Sequence, residues 1–150
     1  MAYAQGQTIT ATDYNAFATD INTIIGTGSG DSGYGNTEVT ALNAGDTITA
    51  AQWNSLLGGL QAGANHQGTT LTNASNTVSA GGNILPLANL GADITLITTN
   101  KLTAAGANMA TDTGITSTRT AAWTGTENHI FTVTFASANA ARHFFNSGGE

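Results

Sequence analysis

The sequence predicts an α+β protein: an N-terminal helical hairpin or small helical bundle with Gly/Thr-rich loops, followed by a short β-containing C-terminal part. Three observations predict this class. A capped helix start occurs twice, a third apolar stripe has helical spacing over 86–101, and residues 129–135 alternate strictly between apolar and polar. We therefore divide the chain into a helical region, 1–105, and a strand-containing region, 106–150.

The first helix start lies in the stretch ITATDYN. Thr10 is placed to be the N-cap, and Asp13, three residues later, can reach back to complete a capping box. Ile9 and Tyr14 flank the cap at the spacing of a hydrophobic staple. The apolar residues that follow keep helical spacing, so the sequence predicts a helix over 10–25.

The same pattern returns 39 residues later, in ITAAQWN. Thr49 takes the cap position, Gln52 the capping-box position, and Ile48 faces Trp53. This predicts a second helix over 49–61. The same helix start occurring twice, with a Gly-rich connection between, indicates a helical hairpin with a long loop or a degenerate tandem repeat. Chance similarity of the two helix starts is the remaining alternative.

The third helix is predicted over 86–101, where Pro86 suits a first turn. Its apolar stripe consists of Leu87, Leu90, Ile94 and Ile97, with Lys101 at its end. Further on, ANAARHFFNSGG is typical of one or two helical turns ended by Gly148. These positions complete the predicted helices.

The predicted strand covers 129–135, with Phe131, Val133 and Phe135 on one face. A single strand needs a partner. The sequence offers weaker Thr-rich candidates over 113–124, and another subunit is the alternative.

Composition excludes several classes of protein. The chain has 150 residues, of which 8% are charged, with a net charge of −6. Three basic residues cannot neutralise a nucleic-acid backbone, and the absence of cysteine excludes disulfides and thiol chemistry. No stretch has the length and apolar character of a membrane span or a cleaved signal. Val, Ile, Leu and Phe supply only 28 side chains, so we expect the chain to depend on neighbouring chains for burial.

The stretch GSGDSG, from Gly28 to Gly33, matches the G-x-G-x-x-G pattern of dinucleotide-binding loops. It follows a predicted helix rather than a strand and opens no helix, so we expect a tight turn that binds no nucleotide. Asp31 is one acid in one copy, too little for a strong calcium site. His66, His129 and His143 show no metal-ligand spacing, and Glu127 with His129 is interpreted as an exposed polar pair. We therefore expect no cofactor, no metal and no catalytic residue.

The apolar residues that remain are candidates for packing against a second chain. They are the helix stripe at Trp53 and Leu56, the strand face, and the aromatic pair near the C-terminus: Trp53, Leu56, Phe131, Val133, Phe135, Phe144 and Phe145. Trp53 is most simply explained as a core residue. Closed symmetry is expected to follow, as a trimer or a ring.

Four stretches resemble a family of virion structural proteins of tailed bacteriophages, notably marine myoviruses: QGQTITATDYNAF, GTGSGDSGYG, ITAAQWNSLLGGLQ followed by NHQG, and TFASANAARHFFNSGG. The resemblance implies a non-enzymatic protein of the phage particle, assembled in the host cytoplasm. It would be attached to the tail, neck or baseplate, or form the base of a fibre. Its implied partners are other copies of itself and other virion proteins.

Two other functions remain open at this point. A capsid decoration protein would share this composition but pack on a shell lattice. A carbohydrate-binding or receptor-binding module would use Tyr34, Trp123 and the Asn/Asp loops to hold a host surface glycan. A virion-borne hydrolase is the least favoured alternative, because no nucleophile motif is present.

Overall fold

The structure is a computed structural model, and it describes residues 8–72, 77–82 and 87–150. Within these ranges the elements are four α-helices and one 3-10 turn: Ala11–Ile25 (α1), Ala50–Gln67 (α2), Leu87–Thr99 (α3), Gly106–Asn108 (the 3-10 turn) and Ala138–Asn146 (α4). The same ranges contain no β-strand. The α+β class is therefore wrong, and the described part of the chain is helical.

Both predicted helix starts are confirmed. The side chain of Thr10 accepts a hydrogen bond from the Asp13 amide at 3.3 Å, while the Asp13 carboxylate accepts one from the Thr10 amide at 2.9 Å. Thr49 and Gln52 repeat this box at 3.3 and 2.8 Å. α2 continues past residue 61 to its left-handed C-cap, Gly68, because its later turns still face the core.

α1 and α2 run in the same direction, so the predicted hairpin is wrong. Near their N-terminal ends, the Tyr14 hydroxyl donates to the Gln52 carbonyl at 3.1 Å. Towards their C-terminal ends, Gly63 of α2 faces Ile25 of α1. The connection between the helices is long enough to return along α1 before α2 begins, which makes the tandem-repeat interpretation the better one.

Asparagines on the helices hold the returning connections in place. The Asn22 side chain donates to the Val39 carbonyl at 2.8 Å and accepts from the Val39 amide at 2.7 Å. Asn15 forms the same pair with Leu42, at 2.8 Å for both bonds, and Asn54 with residue 78, at 2.9 and 2.8 Å. An extended segment without a strand partner has its backbone groups satisfied in this way. Asn15 and Asn54 occupy the same position of the 39-residue repeat.

α3 joins the two helices at their C-terminal ends. Its Ile97 packs near Gly63, and the Gln67 side chain donates to the Ile97 carbonyl at 2.8 Å. Pro86 lies outside the described residues, and Lys101 follows α3 instead of lying within it. We call residues 8–105, with α1 to α3, the bundle. Its core consists of Tyr14, Phe17, Ala18, Ile21, Ile24, Ile25, Tyr34, Val39, Trp53, Leu56, Leu57, Leu60, Ala64, Leu71, Leu90, Ile94 and Ile97.

The predicted strand over 129–135 does not form in the described chain. It belongs to an extended segment, 109–136, which we call the arm. Within the arm as described, the one hydrogen bond between backbone groups joins the Thr116 amide to the Gly114 carbonyl. Alternation favours a strand only where a second strand supplies the ladder. The predicted partners over 113–124 approach it through side chains alone. Whether 1–105 and 106–150 are separate units stays a prediction.

Candidate interaction site

The C-terminal ends of α1, α2 and α3 meet at one end of the bundle. Tyr34, which follows α1, donates its hydroxyl hydrogen bond to the Lys101 carbonyl at 2.7 Å, and Gln67 of α2 donates to that hydroxyl at 2.7 Å. Burial raises the pKa of Tyr34, with the Gln67 hydrogen bond opposing it, so the phenol remains a donor. Aligned helix C-termini carry partial negative charge and attract cations.

This end of the bundle gathers most of the chain's basic groups. Lys101, Arg142, His66 and His143 all lie here, so two of the three Lys/Arg residues and two of the three histidines are concentrated at one end. The concentration is the arrangement that parallel helix dipoles favour.

Residues 26–35, which we call the glycine loop, form a tight turn at this end. Four of its glycines have positive φ, and a Cβ on Gly33 would lie 2.6 Å from the Thr27 carbonyl oxygen, so another residue there would be strained. Lys101 pairs with Asp31 at 3.0 Å, and this hydrogen bond and charge lower the pKa of Asp31. The predicted tight turn is confirmed, whereas the absence of nucleotide binding stays a prediction.

α4 docks on the glycine loop through polar groups. Arg142 donates to the carbonyls of Ser32 at 2.6 Å and Thr27 at 2.5 Å. One helical turn later, Asn146 donates to the carbonyls of Ser32 at 2.9 Å and Gly30 at 3.1 Å. Arg142 and Asn146 share one face of α4 because they are four residues apart. The loop therefore acts as a cradle of carbonyl oxygens that receives a guanidinium and an amide.

Two histidines extend this contact on either side. His143 lies with its Nε2 3.1 Å from the Thr27 carbonyl, and His66 of α2 lies with its Nε2 2.8 Å from the Ser147 carbonyl. Asn146 is buried by the docking. α4 is thus anchored to both the glycine loop and α2 by hydrogen bonds.

The other face of α4 carries aromatic side chains that point to solvent. Phe144 and Phe145 are 42% and 56% exposed. With the half-buried Phe135 they form a group that we call the aromatic cluster, in which ring centroids are 5.2 to 5.8 Å apart. Aromatic pairs at this separation attract each other. α4 therefore binds the bundle with its polar face and leaves its apolar face uncovered.

The arm is exposed along its length. Of residues 109–136, all are exposed except Glu127 and Phe135, which are half-buried. The large apolar side chains among them are Met109, Ile115, Trp123, Ile130, Phe131 and Val133. A loop this long without secondary structure is uncommon in a small domain and is usually functional or a linker.

Side chains clamp the arm where it bends around Trp123. Arg119 pairs with Glu127 at 3.0 Å, and Ser117 contacts the Nδ1 of His129 at 2.7 Å. The other ring nitrogen of His129 lies 3.4 Å from Glu127. Serine, histidine and glutamate in a row resemble a hydrolytic triad, but they lie on the exposed arm with the glutamate shared by an arginine. We interpret them as a clamp that holds the bend.

The predicted interface residues fall into two groups. Trp53 and Leu56 are 3% and 0% exposed inside the bundle core, so their assignment to a surface is wrong. Helical stripes of this kind bury themselves against neighbouring helices of the same chain. Phe131, Val133, Phe144 and Phe145 are exposed and Phe135 is half-buried, and their role in assembly stays a prediction. Tyr34 is buried, which removes it as a sugar-binding residue, whereas Trp123 is exposed.

Sequence reasoning missed the cradle itself. The available signal was a pair of polar residues four apart, Arg142 and Asn146, in a chain that holds only three Lys/Arg residues. A guanidinium so rare in the chain, placed beside the aromatic pair Phe144 and Phe145, indicates a helix with two distinct faces.

The described residues contain no cluster of three or more metal-ligating side chains. No helix among them combines the length and apolar character needed to cross a membrane. Comparison with family models, with curated proteins and with solved structures found no match to this chain.

Proposed function

We propose that the chain is a non-enzymatic structural protein of a tailed-bacteriophage particle, which assembles with copies of itself and with other virion proteins through the arm and the aromatic cluster. One observation carries the assembly part. Of the ten exposed large hydrophobic side chains in the described residues, eight lie between Met109 and Phe145. The placement on the tail, neck, baseplate or fibre base rests on the sequence resemblance alone.

The exposed apolar surface supports an interface of ordinary size. Aromatic side chains bury about 150–250 Å² each when covered, and Trp123, Phe131, Phe144 and Phe145 are each about half exposed. Ile130 is 88% exposed. Together these side chains offer roughly 500 Å², more than half of one partner's share of a standard interface, about 800 Å². Exposed apolar surface of this extent indicates an interaction site.

The backbone of the arm supports the same proposal. An extended segment whose amides and carbonyls lack ladder partners is a template for strand addition by another chain. The face of Phe131, Val133 and Phe135 would then be covered by the chain that pairs with it. The strand predicted from the sequence would form on assembly.

Size-exclusion chromatography with light scattering tests the assembly part. The wild type is expected to be oligomeric at micromolar concentration, and Phe144→Asp is expected to give a smaller species with the same helical circular dichroism. Ser55→Asp, on the exposed face of α2, is the matched control and should assemble normally. A wild type that is a cooperative monomer with a Tm independent of dilution contradicts the proposal.

Mass spectrometry of purified phage particles tests the virion part. Peptides of the chain are expected in the particle, at a copy number near that of tail or neck rings. A copy number near that of the major capsid protein instead indicates a decoration protein. Absence from the particle contradicts both placements.

A carbohydrate-binding role is the second candidate, because of one contact. Arg119 lies over the Trp123 ring at 5.7 Å, which covers one face of the indole and leaves the other for a sugar. A glycan array with the wild type and Trp123→Ala tests it. Binding that Trp123→Ala abolishes supports this role, and no binding to any glycan removes it.

A further inference from the structure

We propose that α4 is exchanged between copies, so that the α4 of one chain docks in the glycine loop of a second copy. The arm would then cross from one bundle to the next. This inference rests on the proposed function, because it names the partner and the site through which the copies assemble.

The hydrogen bonds that dock α4 involve only α4, the glycine loop and His66, and every copy of the chain carries these groups. Arg142 and Asn146 bind carbonyls of the glycine loop, and the carbonyl of Ser147 meets His66. A second copy offers the same carbonyls in the same geometry. Exchange therefore preserves every one of these hydrogen bonds, which is why swapping an element between identical chains costs little.

The arm is long enough for the exchange and is not tied to its own bundle. Its 28 residues can span up to about 90 Å at ~3.3 Å per residue, whereas the 18 residues of α2 measure about 27 Å. Among the described residues, no hydrogen bond or ion pair joins the arm to the bundle. Its polar contacts are internal, between Arg119 and Glu127 and between Ser117 and His129.

The distribution of charge favours α4 as the bridging element. Residues 1–100 contain six acidic residues and no Lys or Arg, whereas residues 101–150 contain three acidic residues and all three Lys/Arg residues. Two bundles of the same negative sign repel each other. Arg142, whose guanidinium binds two carbonyls of the loop that follows α1, gives a second copy a cationic group to bind.

Exchange also covers what docking within one chain leaves exposed. When α4 returns to its own bundle, the arm keeps its apolar side chains in solvent, including Ile130 and Val133. An arm that crosses between two bundles can bury these side chains against both. The aromatic cluster beside α4 then lies at the junction of the two chains.

Engineered cysteines test the exchange directly, since the sequence has no cysteine. The Asn146 side-chain amide lies 2.9 Å from the Ser32 backbone carbonyl, so docking of α4 places residues 32 and 146 next to each other. Ser32→Cys and Asn146→Cys would be made as separate full-length chains, unfolded together, refolded as a mixture and oxidised gently. Exchange predicts a disulfide-linked heterodimer on a non-reducing gel.

The control replaces the loop cysteine with Ser55→Cys. Ser55 lies on α2 about 18 Å before its C-terminal end, so Ser55→Cys with Asn146→Cys should give no heterodimer. The double variant Ser32→Cys/Asn146→Cys distinguishes the two arrangements within one chain. Chains linked into a discrete oligomer or a ladder support exchange, whereas a bridged monomer and no heterodimer in the mixture overturn it.

Arg142→Ala gives a test that does not depend on cysteine geometry. Loss of charged hydrogen bonds to two carbonyls is expected to raise the concentration needed for assembly about tenfold or more, while Ser55→Ala, on the exposed face of α2, leaves α4 docking intact. Unchanged assembly of Arg142→Ala overturns the exchange. If the wild type assembles by light scattering without the heterodimer, exchange fails and the proposed function stands; if the wild type is a monomer, both fail.

Discussion

The bundle and the C-terminal third of the chain differ in where they put their apolar side chains. Every hydrophobic residue of the buried core lies between Ala11 and Ile97. From Met109 to Phe145, the large hydrophobic side chains are instead exposed, apart from the half-buried Phe135. The bundle thus buries its apolar side chains within the chain, whereas the arm and α4 leave exposed the apolar side chains that a second chain would cover.

The difference shows that a local sequence pattern can place apolar side chains on one face without determining whether that face is buried. In the bundle, helical spacing places apolar residues on faces that meet the two neighbouring helices of the same chain. In the arm, alternation places Phe131 and Val133 on one face, but the chain supplies no sheet to receive them. The helical pattern buries its apolar side chains within the same chain. The alternating pattern needs a second chain to bury them.

The largest expected effect comes from the core of the bundle. Leu56→Ala removes a side chain that is fully buried among the three helices and should lower the free energy of unfolding by about 2–5 kcal/mol. Val133→Ala, on the arm, should change it by less than about 0.5 kcal/mol. Denaturant unfolding of both variants at a concentration below assembly measures the contrast. Equal losses would show that the arm is part of the same folding core.

The next effect concerns the asparagines that hold the returning connections. Asn22→Ala leaves the Val39 amide and carbonyl without their side-chain partners and should cost about 1–3 kcal/mol. Thr23→Ala is the matched control, because the Thr23 hydroxyl only bonds back to Thr19 of its own helix. Hydrogen exchange at residue 39 should speed up in Asn22→Ala alone. Unaltered exchange there would mean that the connection is held by its buried side chains.

A smaller effect is expected at the helix caps. Thr49→Ala removes the acceptor for the Gln52 amide and should destabilise the bundle by about 1 kcal/mol. Thr49→Ser keeps the acceptor and should retain most of the stability. Thermal unfolding checks the pair, and a Thr49→Ala protein as stable as the wild type would refute the cap's energetic role.

The smallest effect is a pH dependence at the glycine loop. The Glu38 carboxylate accepts hydrogen bonds from the Thr27 amide and hydroxyl, which hold its pKa below its ordinary value of 4.5. Its contribution to stability is therefore present above that ordinary value and is lost as the pH falls through the lower, folded pKa. The Tm advantage of the wild type over Glu38→Gln should shrink on acidification. An advantage that grows as the pH falls would contradict this assignment.

Much of the bundle could be predicted from the sequence, because its signals are local. Thr10 with Asp13, and Thr49 with Gln52, form contacts across three residues, so their spacing alone determined both helix starts. The helical stripes that follow placed Trp53 and Leu56 on an apolar face. They could not say whether that face meets its own chain or another, since burial depends on residues far away in the sequence.

Only the tertiary structure decided the direction of the helices, the absence of a strand in the described arm, and the docking of α4. Each depends on groups that are distant in sequence: Asn22 reaches residue 39, and Arg142 reaches Ser32 across 110 positions. Hydrogen bonds over such separations leave no periodic trace, because either partner looks like an ordinary polar residue. The sequence by itself determined where helices begin and which residues alternate, and the tertiary structure decided what those residues face, because a face acquires a partner only when the chain has folded around it.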